Sequence, residues 1–165
     1  MGGGGGGSGP SNKDLTKLEE LAKKTLREAD GDKKCNVFIS FVYEDLREVN
    51  LLRGQAKNES SELEFNDWSL REPFDSKRAE YIKQGIRDRI KQSSVTLVFL
   101  SNQTAGSKWV DWEIRESIKL GKGVIAVYQG DAIPASMPSA IREHKIKCIK
   151  WTHSGLAAAI QKARK

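Results

Sequence analysis

The sequence contains few of the residues and motifs that indicate a metal, cofactor or membrane function. It has two cysteines and two histidines, without Cys-x-x-Cys or Cys/His ligand spacing, so neither a metal site nor a prosthetic group is expected. We interpret Cys35 and Cys148 as buried thiols in a reducing cytosol, with a disulfide between them as the alternative. No run of about 18 apolar residues occurs, so no membrane span is expected. The start lacks a basic segment followed by an apolar one, which predicts a cytoplasmic protein without a secretory signal.

Four common phosphate-binding or phosphate-accepting signatures are also missing. No GxxxxGK[ST] motif is present, and the glycine run at residues 2–7 precedes no strand, so neither a P-loop nor a dinucleotide fingerprint is predicted. The segment FVYEDL after the first predicted strand is bulky and acidic, unlike a flavin phosphate loop. Ser101 stands where a response regulator would carry its phosphoacceptor aspartate. These absences argue against four familiar functions of parallel α/β domains.

The positive charge is concentrated at the C-terminal end. The formal net charge is +6. Residues 141–165 account for this net charge, because they carry seven cations and one acid, Glu143. The cations are Arg142, Lys145, Lys147, Lys150, Lys162, Arg164 and Lys165. Such a tail could attract nucleic acid or another polyanion. Trp151 is the one aromatic residue of this tail, so the repeating basic and aromatic pattern of many nucleic-acid-binding segments is missing. We therefore interpret the tail as a solvated helix end and expect no nucleic-acid partner.

The N-terminal segments differ in composition from the rest of the chain. Residues 1–10 are glycine-rich and are interpreted as a flexible linker or tag. Residues 11–31 form a predicted amphipathic helix, with Ser11 and Asp14 resembling a capping box and Gly31 as a stop signal. This helix is expected to dock on its own domain or, alternatively, to associate with another copy. The remaining residues, 33–165, are predicted to form one domain.

From residue 35 onward, apolar strand segments alternate with amphipathic helices. Strands are predicted at 35–41, 63–65, 94–101, 123–128 and 146–151, and helices at 44–57, 77–93, within 101–118 and from about 154. The segment 94–101 is apolar on both sides and is predicted to be the central strand. A loop containing Pro134 and Pro138 is expected before the last strand. The alternation predicts an α/β, flavodoxin-like, doubly wound parallel five-stranded sheet with an extra N-terminal helix.

Ligands of such sheets bind beyond the carboxyl ends of the strands, where the segment SNQTAGSKWVDWEIRESI begins with Ser101. A helical wheel at about 100° per residue sets Trp109 at zero and Glu113 near 40°, at the edge of the core face. That core face comprises Val110, Ile114, Ser117 and Ile118. Trp112 falls near 300°, pointing away from the core. The wheel therefore predicts that Trp109 and Glu113 are neighbours at the rim of a binding crevice.

The residues from Cys35 to about Tyr128, extending loosely to Trp151, resemble a TIR domain. The resemblance is to the TIR-like group that includes the TIR component of bacterial Thoeris anti-phage defence. It is carried in order by NVFISF as the first strand, FND before WSLREPFDS at the BB loop, IKQSSVTLVFLS as the fourth-strand region of the family, and GKGVIAVY as the next strand. SKWVDWEI matches the W-x-x-x-E-[IL] signature.

This resemblance implies an enzyme that cleaves the nicotinamide–ribose bond of NAD⁺, releasing ADP-ribose or a cyclic ADP-ribose isomer as a defence signal. NAD⁺ is then the substrate, and a downstream effector would sense the product. Glu113 matches the essential glutamate of enzymatic TIR domains. The implied nucleotide-binding positions are Ser40, Phe41, Tyr43, Trp68, Ser69, Phe74, Ser101 and Trp109. Phe41 would otherwise fill the core, and Trp109 would either wall the nicotinamide or pack the helix.

The sequence also departs from the family pattern. Val42 and Tyr43 occupy positions that are basic in many NAD-cleaving TIR domains, and Pro73 replaces a frequent loop glycine. The alternative is a non-catalytic TIR interaction module that uses the BB loop and exposed Trp68 and Trp112. Either function implies a homo-oligomer formed through TIR–TIR contacts. A cofactor-free flavodoxin-like or receiver-like regulator is a third hypothesis.

Overall fold

The computed structural model describes residues 11–31, 34–67 and 73–165, and the side chains of these except those of 24–31. The chain divides into two compact units, of which the first ends at Lys34 and the second comprises Cys35–Lys165. The predicted linker, residues 1–10, lies outside the described residues. No helix in the described part of the chain is long and apolar enough to cross a membrane.

The first unit contains the predicted N-terminal helix, α1, at Asn12–Gly31. The capping box is confirmed, because Ser11 Oγ accepts the amide hydrogen of Asp14 at 3.3 Å. In return, the amide of Ser11 donates to Asp14 Oδ2 at 3.2 Å. These reciprocal bonds satisfy backbone donors that a helix start otherwise leaves open. Leu15, Leu18 and Leu21 on this helix are exposed.

The second unit is built on a parallel sheet of five strands, as predicted. The strands are β1 at Cys35–Ser40, β2 at Leu63–Asn66, β3 at Val95–Leu100, β4 at Gly123–Tyr128 and β5 at Lys147–Lys150. Their order is β2-β1-β3-β4-β5, and each neighbouring pair is parallel. This is the flavodoxin-like order, with a switch point between β1 and β3. The central position of β3 is confirmed.

The helices of this unit follow the strands with one addition to the prediction. They are α2 at Leu46–Glu59, α3 at Ala79–Gln92, α4 at Lys108–Lys119, α5 at Ser139–Glu143 and α6 at Leu156–Lys162. A short 3₁₀ turn, Tyr43–Asp45, precedes α2. The predicted loop before the last strand was wrong in part, because it contains α5, which begins directly after Pro138. Five residues are too few to show a helical period.

The two faces of the sheet are covered by different helices. Helices α2 and α6 cover one face, whose core includes Val37, Ile39, Val49, Leu52, Leu97, Phe99, Leu156 and Ile160. Helices α3, α4 and α5 cover the other, around Phe38, Ile82, Ile86, Val98, Leu100, Ile114 and Ile141. Because side chains alternate along a strand, Ser40 shares the face of Phe38 and points toward α3 and α4. This alternation positions the candidate site.

The two cysteines are free thiols, one on each of two separated strands. Cys35 begins β1 and is buried, whereas Cys148 in β5 is half-buried. Strands β3 and β4 lie between them. Neighbouring strands are about 4.8 Å apart, so three spacings far exceed the Cα separation of about 4.4–6.8 Å that a disulfide allows. The disulfide alternative was therefore wrong, and the prediction of burial holds fully for Cys35.

Gly123 offers a direct test of how the C-terminal end packs on the sheet. A Cβ atom at this position would overlap the carbonyl oxygen of Ala163, which follows α6. Gly123→Ala is expected to lower the free energy of unfolding by about 1–3 kcal/mol, because backbone must move. Gly54→Ala is the control, since no atom beyond its chain neighbours and the backbone of its own helix lies within 4 Å of its Cβ position in α2. It should stabilise by about 0.5–1 kcal/mol. Thermal unfolding of both variants checks this, and an unchanged midpoint for Gly123→Ala would contradict the packing.

Candidate functional site

The candidate site joins the end of β1 to helix α4 through two buried polar side chains. Ser40 is the last residue of β1 and is fully buried. Its hydroxyl donates a hydrogen bond to Oε2 of Glu113, whose residue is 7% exposed. The structure therefore brings together two of the residues that the sequence placed at the carboxyl end of the sheet. Glu113 lies within the fold and does not project into bulk water.

Burial changes the acid–base behaviour of Glu113. Loss of solvent raises the pKa of its carboxyl group to about 8, although the hydrogen bond from Ser40 acts in the opposite direction. The negative charge of Asp67 raises this pKa further. A carboxyl group with such a pKa is mostly protonated near pH 7. A cation that enters the site would favour its ionised form, because opposite charges lower the pKa of an acid.

Asp67 is a site residue that the sequence reasoning did not single out. It directly follows β2, and its carboxylate forms an ion pair with Arg53 of α2. Arg89 of α3 holds the same residue by donating from Nη1 to its backbone oxygen at 2.9 Å. Asp67 thus carries a fixed negative charge beside Glu113. Its place at the carboxyl end of a parallel strand was the one signal that could have identified it.

A second polar pair anchors α4 next to Glu113. The hydroxyls of Thr96 in β3 and Ser117 in α4 are 2.7 Å apart, and both residues are buried. Ser117 Oγ also donates to the backbone oxygen of Glu113 at 2.7 Å. At its start, α4 is capped by Ser107, whose Oγ accepts the amide hydrogen of Val110 at 3.2 Å. These bonds limit sliding of the helix, and with it movement of the Glu113 carboxyl group.

Trp109 lies in an aromatic group beside the site. Its ring is 4.9 Å from that of Phe74 in a T-shaped arrangement and 6.1 Å from that of Trp112. Trp109 also packs against the buried cluster of Phe38 and α3 isoleucines. Of the two roles considered for Trp109, these contacts are those of helix packing. Phe74 is covered on one side by Lys83, whose Nζ is 4.4 Å from the ring centroid.

The predicted orientation of Trp112 was wrong. This side chain is half-buried and packs against the same cluster of Phe38 and α3 isoleucines, instead of pointing away from the core. The Arg87 guanidinium carbon lies 5.4 Å from its ring centroid. The physical reason is that α4 contacts both the sheet and α3, so a second face of the helix is covered. A helical wheel drawn with a single buried face does not account for the contact of Trp112 with α3.

The other predicted site residues within the described part of the chain lie at separate positions around the end of the sheet. Phe41 packs against the core on the α2 and α6 face, with the Arg53 guanidinium carbon 5.7 Å from its ring centroid. Tyr43 is 45% exposed. Ser101 is held by Thr104, whose Oγ1 accepts the backbone amide hydrogen of Ser101 at 2.8 Å. Trp68 and Ser69 lie outside the described residues.

The described residues contain no group of three or more His, Cys, Asp or Glu side chains that could hold a metal ion. The chemistry available at the candidate site is therefore that of a buried carboxyl group with a hydroxyl donor and a nearby carboxylate. Such an arrangement can stabilise a positive charge that develops on a bound molecule. It can also accept hydrogen bonds from sugar hydroxyl groups.

Comparison with protein families places the chain in a defined group. A family model described as the TIR-like domain of the Thoeris protein ThsB matches residues 38–132, more than half of the chain. Its match begins within β1 and ends beyond β4, so it includes Ser40, Asp67 and Glu113.

Two curated relatives match the chain. The provisionally named cyclic ADP-D-ribose synthase TIR2 of Cytobacillus dafuensis is 26% identical over 140 residues, covering 84% of this chain and 37% of that protein. The provisionally named cyclic ADP-D-ribose synthase ThsB1 of Bacillus cereus strain MSX-D12 is 35% identical over 96 residues, covering 56% of this chain and 50% of that protein. The chain thus spans half or less of the length of the curated relatives it matches.

Two solved structures match the chain at low sequence identity. The CMP N-glycosidase BcmB of Clostridium botulinum is 16% identical with a TM-score of 0.48, covering 77% of this chain and 96% of that chain. The TIR domains of the activated Roq1 resistosome are 19% identical with a TM-score of 0.44, covering 78% of this chain and 69% of that chain.

Proposed function

The chain belongs to the family of the TIR-like domain of the Thoeris protein ThsB, and from this premise we propose that it cleaves the nicotinamide–ribose bond of NAD⁺. Both curated relatives carry the name of a cyclic ADP-D-ribose synthase, which favours a cyclic ADP-ribose product over linear ADP-ribose. In this proposal the product is a signal in anti-phage defence and is sensed by a downstream effector. NAD⁺ is the substrate, and the reaction uses no prosthetic group.

The single observation that carries the proposal is the buried Glu113 carboxyl group, joined to Ser40 at the end of β1. Breaking the bond between ribose C1′ and the nicotinamide nitrogen sends the electron pair to nicotinamide, which leaves as a neutral molecule. The ribose becomes an oxocarbenium-like cation, and an adjacent carboxylate stabilises it. Because the leaving group needs no proton, one carboxylate can suffice. Attack on C1′ by water gives ADP-ribose and a proton, and attack by an adenine nitrogen gives a cyclic isomer.

The raised pKa of Glu113 fits a carboxyl group that ionises when substrate binds. The positively charged nicotinamide ring of NAD⁺ favours the carboxylate over the acid, and Asp67 adds negative charge on the same side. Ser40 then donates its hydrogen bond to an ionised acceptor, which is the stronger form of that bond. We assign Glu113 the catalytic role and Ser40 the role of positioning it.

The other predicted site residues take supporting roles in this proposal. Tyr43 is exposed and can stack on a base, whereas Phe41 and Trp109 support the surrounding core.

We propose that copies of the domain assemble through TIR–TIR contacts and that assembly activates them. Two free thiols, Cys35 and Cys148, suit the reducing cytoplasm in which we place this activity.

The test is direct incubation of NAD⁺ with purified protein over a wide range of protein concentrations. Nicotinamide release should be measured by chromatography, and mass spectrometry should separate ADP-ribose from its cyclic isomers. We expect release per molecule to rise with protein concentration, because assembly is part of the proposal. Background-level release at every concentration, in the presence of phage-infected cell extract as well as without it, would instead favour the interaction module.

A further inference from the structure

The central strand β3 contains a polar residue that packing does not explain. Every residue of Val95–Leu100 is buried, and Thr96 is the one polar residue among them. Thr96 is paired with Phe38 of β1 and faces α4. Valine has nearly the same shape as threonine and carries no hydroxyl group to desolvate, so burial alone would favour valine at this position.

The hydroxyl groups of Thr96 and Ser117 form a directed chain that ends on Glu113. Ser117 Oγ donates its one hydrogen to the backbone oxygen of Glu113 at 2.7 Å. The bond of 2.7 Å between the two hydroxyl groups is then a donation from Thr96 Oγ1 to Ser117 Oγ. Both side chains are fully buried, so neither is accessible to a substrate. Any effect they have on a reaction must act through Glu113.

Glu113 is consequently held from two neighbouring strands. Its carboxyl group accepts the hydrogen bond of Ser40 at the end of β1, and its backbone is joined to Thr96 of β3 through Ser117. Strands β1 and β3 are the pair at the switch point of the sheet. Apolar contacts tolerate small displacements of a helix, whereas a bond between two hydroxyl oxygens is confined to about 2.5–3.0 Å. The hydroxyl chain therefore defines the position of α4 on β3 more narrowly than apolar packing would.

Ser117 also carries a cost that packing does not explain. A serine whose hydroxyl bonds to the backbone oxygen four residues earlier slightly destabilises its helix. Alanine at this buried position would avoid that cost and is the best helix former. Natural proteins break such local rules mainly at functional sites. Two residues of this kind that meet one helical turn from the candidate catalytic group indicate a functional reason for both.

We propose that Thr96 and Ser117 are positioning residues that hold the Glu113 carboxyl group on Ser40 by fixing α4 against β3. Their effect on NAD⁺ cleavage rests on the proposed function, whereas the coupling of Thr96 to Ser40 is a property of the folded protein without substrate. A displacement of about 1 Å at a reacting group can cost about 100-fold in rate, so loss of one hydroxyl bond in a helix that stays packed should cost about tenfold.

The kinetic test removes the hydroxyl and the methyl group of Thr96 separately, at a temperature where all variants are folded. Thr96→Val lacks the hydroxyl, and it should lower kcat about tenfold and leave the KM for NAD⁺ within about twofold of wild type. Thr96→Ser lacks the methyl group, and it should unfold at a lower temperature than Thr96→Val but restore kcat. Val95→Ala, on the opposite face of β3, is the matched packing control and should lower the unfolding midpoint without the loss of kcat. A kcat that follows the unfolding midpoint across these three variants would overturn the positioning role.

Ser117→Ala keeps the kinetic test decisive if Thr96→Val fails to fold. It removes the middle of the hydroxyl chain and introduces a better helix former. We expect it to lower kcat by about the same tenfold factor with little change in the KM for NAD⁺. An unchanged kcat in Ser117→Ala would contradict the proposal.

A double-mutant cycle of unfolding tests the same role without NAD⁺. Ser40→Ala is introduced into wild type and into Thr96→Val, and the proteins are unfolded in denaturant at pH 9, where Glu113, with a pKa of about 8, is mostly ionised. Ser40→Ala should change the unfolding equilibrium constant about threefold less in Thr96→Val than in wild type, because the Ser40–Glu113 bond is already weakened there. In Thr96→Ser it should have its full effect. Equal effects of Ser40→Ala in wild type and Thr96→Val would overturn the proposal.

The two readouts separate this proposal from the proposed function. Coupling of Thr96 to Ser40 in a protein that releases no nicotinamide would support the positioning role and reject NAD⁺ cleavage. Cleavage that is unaffected by Thr96→Val and by Ser117→Ala would support the proposed function and reject the positioning role.

Discussion

Glu113→Gln is expected to reduce nicotinamide release from NAD⁺ by at least about 100-fold, because it removes the charge that stabilises the ribose cation. Glutamine has nearly the same shape and can still accept a hydrogen bond from Ser40 through its amide oxygen. The change therefore tests the charge of the side chain more than its packing. The loss should appear mainly in kcat, since the cation exists only in the transition state.

Glu116→Gln is the matched control for this variant. Glu116 lies on the same helix, is equally buried at 7% and forms an ion pair with Arg87, Nε to Oε1, at 2.9 Å. The substitution costs that pair and some stability, but Glu116 does not contact Ser40 or the proposed reacting atoms. Release by Glu116→Gln should stay within a few-fold of wild type at a temperature where both are folded. A similar decrease in both variants would contradict the catalytic assignment of Glu113.

The same Glu113→Gln substitution is expected to stabilise the protein at high pH. Burial raises the pKa of Glu113 to about 8, above its ordinary value of 4.5. Between these values the folded state keeps a proton that the unfolded state has lost, so stability falls as pH rises. Glutamine has no such penalty. The advantage of the variant should be absent near pH 4 and reach the order of a few kcal/mol above pH 8.

Denaturant unfolding of the two proteins from pH 4 to pH 9 measures this difference. Subtracting the two curves removes the contributions of other titrating groups, including the raised pKa of Asp45. Ser40→Ala supplies a further arm, because loss of a bond that favours the carboxylate should raise the pKa of Glu113 further. A constant difference between wild type and Glu113→Gln at all pH values would show that Glu113 is not protonated in the folded state.

Several properties of this protein could be predicted because they depend on local pattern. Continuous apolar runs predicted the strands, and the run at Val95–Leu100 identified the central one, since only a strand covered on both faces tolerates such a run. Helical spacing predicted the core face of α4, where Val110, Ile114 and Ser117 are buried. The family resemblance directed attention to Glu113, whose place on α4 beside β1 follows from the chain topology.

Other properties depend on contacts between segments that are distant in sequence, and local sequence pattern does not predict them. The half-burial of Trp112 depends on α3 lying beside α4. The short helix after Pro138 packs against β3 and α4, which are distant in sequence. The effect of Asp67 on Glu113 couples the end of β2 to the middle of α4.

By itself, the sequence determined the parallel α/β architecture, the central strand and the glutamate on which the proposed chemistry depends. Periodicity of apolar residues dictates the architecture and the central strand, because each element must bury one face or both. The glutamate was indicated by the family resemblance. Only the tertiary structure decided that Glu113 is buried beside Ser40 with a pKa of about 8, and that Oδ2 of Asp45 is buried without a hydrogen-bond partner among the described residues. Burial of a carboxyl group and its distance from other charges depend on the folded structure, because residues far apart in the chain determine both.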